Sequence, residues 1–333
     1  MVMRFSQMIS IAGLFAAGAA SAGDLQCPVV DQPPAAVCVA SAHGLAYADT
    51  QEDAGTASRA LAEAAQRYAN LFGRAPVGML VLSTSLDPVA AIDFANTHDL
   101  EFAQVWVPAK AKRAMTERAM RQAGLDRARI NQALAGMSDQ EPITLRHEVG
   151  HAMHAAMYWP GSTGMPQERY GTPAPDWLDE AAAIAMEPIE AQGRHVAAFI
   201  DFAKRRPRDI PDLADFLASE HPVRNAGLAG ALARGPKSDS GVQMMVASRG
   251  DRFPGMETFY GQSLLTALFL AETSGNPQIL APISRAIADG LGFDAWLARD
   301  GAEFKLPATV AALQPLWNDW LQQVLRRGGN SEP

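Results

Sequence analysis

The chain has 333 residues, 48% of them apolar, and carries 28 basic against 36 acidic side chains for a net charge of −8. That apolar share belongs to a globular protein and sets aside a disordered one. The acidic balance, with no basic run beyond Arg205-Arg206-Pro207-Arg208, sets aside nucleic acid as a partner.

The chain opens with a leader pattern. Arg4 gives a positive start, Ile9 to Ala20 is a stretch of apolar and small residues too short to span a bilayer, and Ala20-Ser21-Ala22 ends it in A-x-A style. This predicts a signal peptide over 1–22, cleaved after Ala22, and an exported product that is periplasmic or secreted. No later segment is apolar for long enough to give the mature chain an integral membrane span. Cys27 and Cys38 are the only cysteines. In an exported protein they predict one disulfide, which pins a Pro-rich N-terminal arm over 23–50 to the body.

Thr56 to Gly73 sets Ala57, Leu61, Ala64, Ala65, Tyr68, Leu71 and Phe72 on one stripe, which predicts an amphipathic helix closed by Gly73. Val77 to Ser83 and Glu101 to Val107 read as strands. Lys110 to Gly124 and Arg127 to Met137 read as helices. Together they predict a small α/β lobe over about 51–137.

Asp139-Gln140-Glu141-Pro142 reads as the start of a further helix, and His147-Glu148-Val149-Gly150-His151 follows within it. Residues four apart share a helix face, so His147 and His151 can offer both imidazoles to one cation. Glu148 lies beside them, placed to work on a bound water. This spacing predicts a zinc site with a general base. Catalytic zinc takes three protein ligands. A metzincin third histidine would stand at position 157, but the chain has Met157 there. The next candidate is Glu180, in Asp176-Trp177-Leu178-Asp179-Glu180-Ala181-Ala182-Ala183 on a second helix, Trp177 to Glu190, whose small residues allow close helix approach. Asp179 points about 100° away from Glu180 around that helix. The Gly- and Pro-rich segment from Tyr158 to Pro175 reads as the loop between the two.

HExxH followed by W-L-x-E on a second helix resembles the gluzincins, the thermolysin-like part of the peptidase MA clan. The resemblance implies zinc on His147, His151 and Glu180, with Glu148 as base. The 28 residues between His151 and Glu180 exceed the thermolysin-type spacing, and Ala181 stands where relatives commonly have Gly. The fold it implies is α+β: a small mixed-sheet N-terminal lobe, then a mainly helical lobe over about 138–330, together a zincin-like catalytic domain over 51–330. In that family an edge strand receives extended substrate, and Glu101 to Val107 is the candidate here.

An acyl-transfer site also needs a donor for the developing oxyanion. Tyr260 is the first candidate, because Tyr260-Gly261-Gln262-Ser263 opens an apolar helix that resembles one in bacterial peptidase MA-like proteins. His195 and His221 are alternatives. His154 shares the face of His147 and His151 and reads as a solvated or capped histidine ahead of a partner that supports the ligands, and Glu187 reads as a surface acid ahead of a group that orients a ligand histidine. Further helices are predicted over His195 to Lys204, Asp212 to Glu220, Glu257 to Thr273, Pro277 to Asp289 and Thr309 to Arg327. A Gly- and charge-rich stretch between His221 and Met256 reads as a flap or insertion. The expected function is a zinc metallopeptidase acting on a peptide or protein substrate, an endopeptidase for want of a G-x-M-E-N segment. The rival readings are a zinc hydrolase of a non-peptide bond and a non-catalytic zinc-binding envelope protein.

Overall fold

The computed structural model describes residues 25–85, 87–135, 141–162, 172–222 and 255–327. The expected leader lies outside the described residues, as do 223–254 of the expected flap and 163–171 of the expected loop.

The fold opens on a hairpin of β1 (Val37–Ser41) and β2 (Gly44–Ala48), paired antiparallel. Helix α1 (Gln51–Phe72) then leads to β3 (Gly78–Leu82), which lies parallel to β2, and α2 (Pro88–Thr97) leads to β4 (Phe102–Trp106), parallel to β3. The result is a four-stranded mixed sheet in the order β1-β2-β3-β4. Residues expected as an arm over 23–50 thus supply half of the sheet. Their runs, VCVAS and GLAYA, are only five residues long, too short to show a clear alternation. Burial on both faces holds β2 in the sheet.

Side chains alternate across the sheet with period two. Ala46, Ala48, Leu80 and Leu82 face α1 and the helical body, whereas Leu45, Tyr47, Met79 and Val81 face Ala91 and Ala95 of α2. Thr50 caps α1 by accepting from the Asp53 N–H, and Gly73 closes it. Asp87 caps α2 over Val89 and Ala90, with Pro88 at its first position. Helix α2 falls in a stretch for which no element is predicted.

The rest of the chain is helical: α3 (Ala109–Gln122), α4 (Arg127–Leu134), α5 (Glu141–Tyr158), α6 (Asp176–Met186), α7 (Ile189–Arg205), α8 (Leu213–Ala218), α9 (Met256–Ser274), α10 (Leu280–Ala288), α11 (Phe293–Asp300) and α12 (Val310–Arg327). One expected helix, Trp177 to Glu190, is two. The chain breaks at Glu187-Pro188, because proline lacks an N–H and restricts the residue before it. Helix α11 was not anticipated.

One apolar core runs from the sheet face through α1, α5, α6, α7 and α9 to α12, by way of Leu80, Tyr68, Val149, Trp177, Phe199 and Trp317. The expected lobes therefore share a core. No helix among the described residues is long and apolar enough to cross a membrane.

Cys27 and Cys38 are bonded, with their Cα atoms 6.0 Å apart, and tie the leading segment to edge strand β1. Closing a loop of this length removes about 3 kcal/mol of chain entropy from the unfolded state. Replacing both cysteines by serine should lower unfolding stability by about that amount in urea titrations. An unchanged midpoint would show that the bridge does not constrain the chain.

Candidate metal centre

Helices α5 and α6 meet at unusually short range. A Cβ on Gly150 would lie 2.7 Å from Ala183 Cα and 3.0 Å from Met186 Cγ, so only glycine fits. Gly150 stands inside the His147–His151 segment and Ala183 one turn past Glu180. The contact that brings the helices together is therefore part of the site.

His147 and His151 project from α5 with their Nε2 atoms 3.1 Å apart. Glu180 faces them from α6. Its Oε2 lies 3.4 Å from His147 Nε2, and its Oε1 lies 3.8 Å from His151 Nε2. All three ligand atoms fall within 4.8 Å of one another. A tetrahedral cation with metal–ligand bonds of about 2.1 Å separates its ligand atoms by roughly 3.4 Å. Glu180 is 1% exposed, and neither of its carboxylate oxygens has a hydrogen-bond partner. A buried acid with both oxygens orphaned is costly unless something positive compensates it. The group could hold a metal ion, and the donor set and the orphaned oxygens fit one.

Each histidine is held from behind. His147 Nδ1 donates to Glu187 Oε1 over 2.9 Å, which leaves Nε2 free to face Glu180. His151 Nδ1 lies 3.0 Å from Asp179 Oδ2. Behind these acids stands a further layer. His195 Nε2 bonds Glu187 Oε2 over 3.0 Å. Thr172 donates to Asp179 from both its hydroxyl (2.9 Å) and its backbone N–H (3.0 Å). His154 lies between Asp179 Oδ1 (3.4 Å) and Ser284 Oγ (3.0 Å).

Two expectations are corrected here. Glu187 is not a surface acid: it is 3% exposed, because the helix stops before Pro188 and its extended backbone turns the side chain inward. Gln192 steadies that break by donating to the Ala185 and Glu187 carbonyls. His154 is not a solvated histidine: it is fully buried, and burial keeps its pKa below the usual value, so it stays neutral at pH 7. Asp179, turned away from Glu180 around α6, takes the far side of His151.

Charge follows this arrangement. Burial would lower the His151 pKa, but Asp179, with smaller help from Glu180 and Glu148, pushes it up to about 10. Burial raises Glu180 to about 7 against the pull of His151 and His147. Burial would raise Glu187 too, yet its bonds to His147 and His195 bring it below the usual carboxylate value. Glu148 is partly exposed, and its charge is felt by His147, His151 and Glu180.

Tyr260, near the start of α9, brings its ring centroid 5.9 Å from that of His147, 5.4 Å from His195 and 5.6 Å from His221. The next residue explains the approach. A Cβ on Gly261 would lie 2.5 Å from Phe199 Cβ and 2.6 Å from the His195 carbonyl oxygen, so α9 rests directly on α7. His221 is fully buried, with its Nε2 3.6 Å from Glu180 Oε1 and its backbone N–H bonded to Asp176. The structure thus draws together His147, Glu148, His151, Glu180, Tyr260, His195 and His221. Sequence reasoning gave Gly150, Gly261, Thr172 and Ser284 no part. The glycines carried a local signal, each lying inside a motif already singled out.

Compared with known proteins, the chain matches no family model, no curated protein and no solved structure.

Replacing Gly150 by Ala should force α5 and α6 apart, cost about 1–3 kcal/mol of stability and lower metal occupancy in the purified protein. Full occupancy with unchanged stability would show that the helices can yield without cost. A second expectation concerns protons. At pH 7 the metal-free protein holds a proton on His151 and a fraction of one on Glu180, and an incoming cation must displace them. Metal affinity should therefore rise with pH from about 6 upward. Calorimetric titration in buffers of different ionisation enthalpy should show net proton release, and zero release would contradict the assignment.

Proposed function

We propose that this chain is an exported zinc-dependent metallopeptidase of gluzincin type. The observation that carries the reading is Glu180. A buried carboxylate with two orphaned oxygens faces a pair of imidazoles, of which His147 bonds Glu187 through its other nitrogen and His151 sets its own 3.0 Å from Asp179. Two imidazoles and a carboxylate form a donor set suited to catalytic zinc, which takes three protein ligands and leaves a fourth position open.

Zinc bound there would supply a Lewis acid and an acidified water. The chain's own residues do the rest. Glu187 and Asp179 fix the imidazoles so that both Nε2 atoms point the same way. Glu148, next to His147 and reachable from solvent, takes a proton from the attacking water and returns it to the departing amine. Tyr260, packed against His147, is the donor for the oxyanion. His195 is committed to Glu187, which makes it a support for His147 and leaves the oxyanion to Tyr260. The absence of a G-x-M-E-N segment favours internal peptide bonds. A purely structural zinc would account for the three ligands and leave Glu148 without a task.

Replacing Glu148 by Gln should leave zinc bound and lower peptide turnover about 10²–10⁴-fold. Replacing Glu180 by Ala should cut zinc content, measured by elemental analysis after exhaustive dialysis. Wild-type turnover in the first variant removes Glu148 as base, and full zinc in the second removes Glu180 as ligand.

A further inference from the structure

Strand β4 is an edge of the sheet and packs against α5, the helix that carries both histidines. Its last residue is Trp106. Two residues later the chain turns into α3, whose first turn carries Lys112 back over that ring. The Lys112 Nζ lies 3.1 Å from the Trp106 ring centroid. The side chain is half-buried, and among the described residues no carboxylate comes within ion-pair distance of its ammonium. The acids whose charges reach it are Glu141 and Glu148. They stand seven residues apart on one face of α5, and one of them is the proposed base.

This setting is unusual for a lysine. Its ammonium lies on a ring face, and the side chain is only partly covered. It stands in the first turn of α3, whose leading Ala109 N–H is bonded by the Glu141 carboxylate of α5. Nothing in the proposed hydrolysis uses it. Burial lowers its pKa to about 8 against the pull of Glu141 and Glu148, so it remains mostly charged at neutral pH. This cation stands at the end of an edge strand that packs on α5, close enough to Glu148 for the two charges to be coupled.

We propose that Lys112, seated on Trp106, binds a carboxylate of the substrate next to the bond that Glu148 attacks. The inference rests on the metallopeptidase reading and narrows its substrate class to peptides that carry a negative group near the scissile amide. That group comes either from an acidic side chain or from the chain's own C-terminus, and both present the same two oxygens to an ammonium.

The test uses the zinc-loaded protein with Glu148→Gln, which binds peptide without consuming it. Three forms of a fluorescent peptide are compared by anisotropy: a neutral amidated one, a set with Glu walked through each position in place of Gln, and one with a free C-terminal carboxylate. One of the two anionic forms should bind about tenfold more tightly than the neutral peptide. Adding Lys112→Met should reduce that advantage to about twofold or less, whereas Lys112→Arg and the exposed neighbour change Lys110→Met should keep it. The form that gains identifies the source of the carboxylate. Circular dichroism and zinc content confirm that each variant is folded, and Lys112→Gln replaces the methionine variant if it is not. Equal affinity for all three forms, an undiminished advantage in Lys112→Met, or no binding of any peptide overturns the inference. Carboxylate-dependent binding with no cleavage by the wild-type protein overturns the peptidase reading instead.

Discussion

The site depends on how closely α5 and α6 can lie. Helix axes pack about 8–10 Å apart, according to the side chains between them. Here glycine meets the Cα of an alanine, with almost no side-chain bulk between the helices. A glutamate side chain has limited reach, and any bulk at Gly150 would carry Glu180 away from the two imidazoles. Glycine inside a helix costs about 1 kcal/mol relative to alanine. The fold bears that cost in the middle of α5 and recovers it through the wholly buried run Leu178 to Ile184.

Once the helices are that close, charge decides the rest. Five ionisable groups, His147, His151, Glu180, Asp179 and Glu187, lie almost out of water within one cluster. Unpaired burial of any one would be costly, and the arrangement answers by giving each imidazole a carboxylate behind it. Glu180 is the exception. It looks into the space between the imidazoles with neither oxygen hydrogen-bonded, in a group that could hold a metal ion.

What the sequence disclosed and what it withheld divide along physical lines. His147, Glu148 and His151 were legible because helical periodicity is local and needs only a few residues. Glu180 was legible through the motif around Trp177 and the small residues that follow it. The strands Val77 to Ser83 and Glu101 to Val107 were found within a residue at each end, because their apolar runs are strong. Strands β1 and β2 were missed, since pentapeptides this short show little alternation until their partners in the sheet are in place. His154 looked like a solvated histidine, and its role depends on Ser284, 130 residues further on. Glu187 was misjudged because one proline changed a smooth helix into two, and that break, rather than periodicity, aims its side chain. Tyr260 was placed by resemblance alone, and Gly261 is the local reason that its ring comes so near the histidines.

Glu187 serves two masters. One of its oxygens grips His147 on α5 and the other grips His195 on α7, while α7 itself is wedged against α9 at Gly261. A nudge on α9 thus has a rigid route of two hydrogen bonds to the imidazole. Any grip on a cation there would answer to a helix that contributes no ligand, and tuning it by changes remote from the ligands themselves would become a matter of leverage.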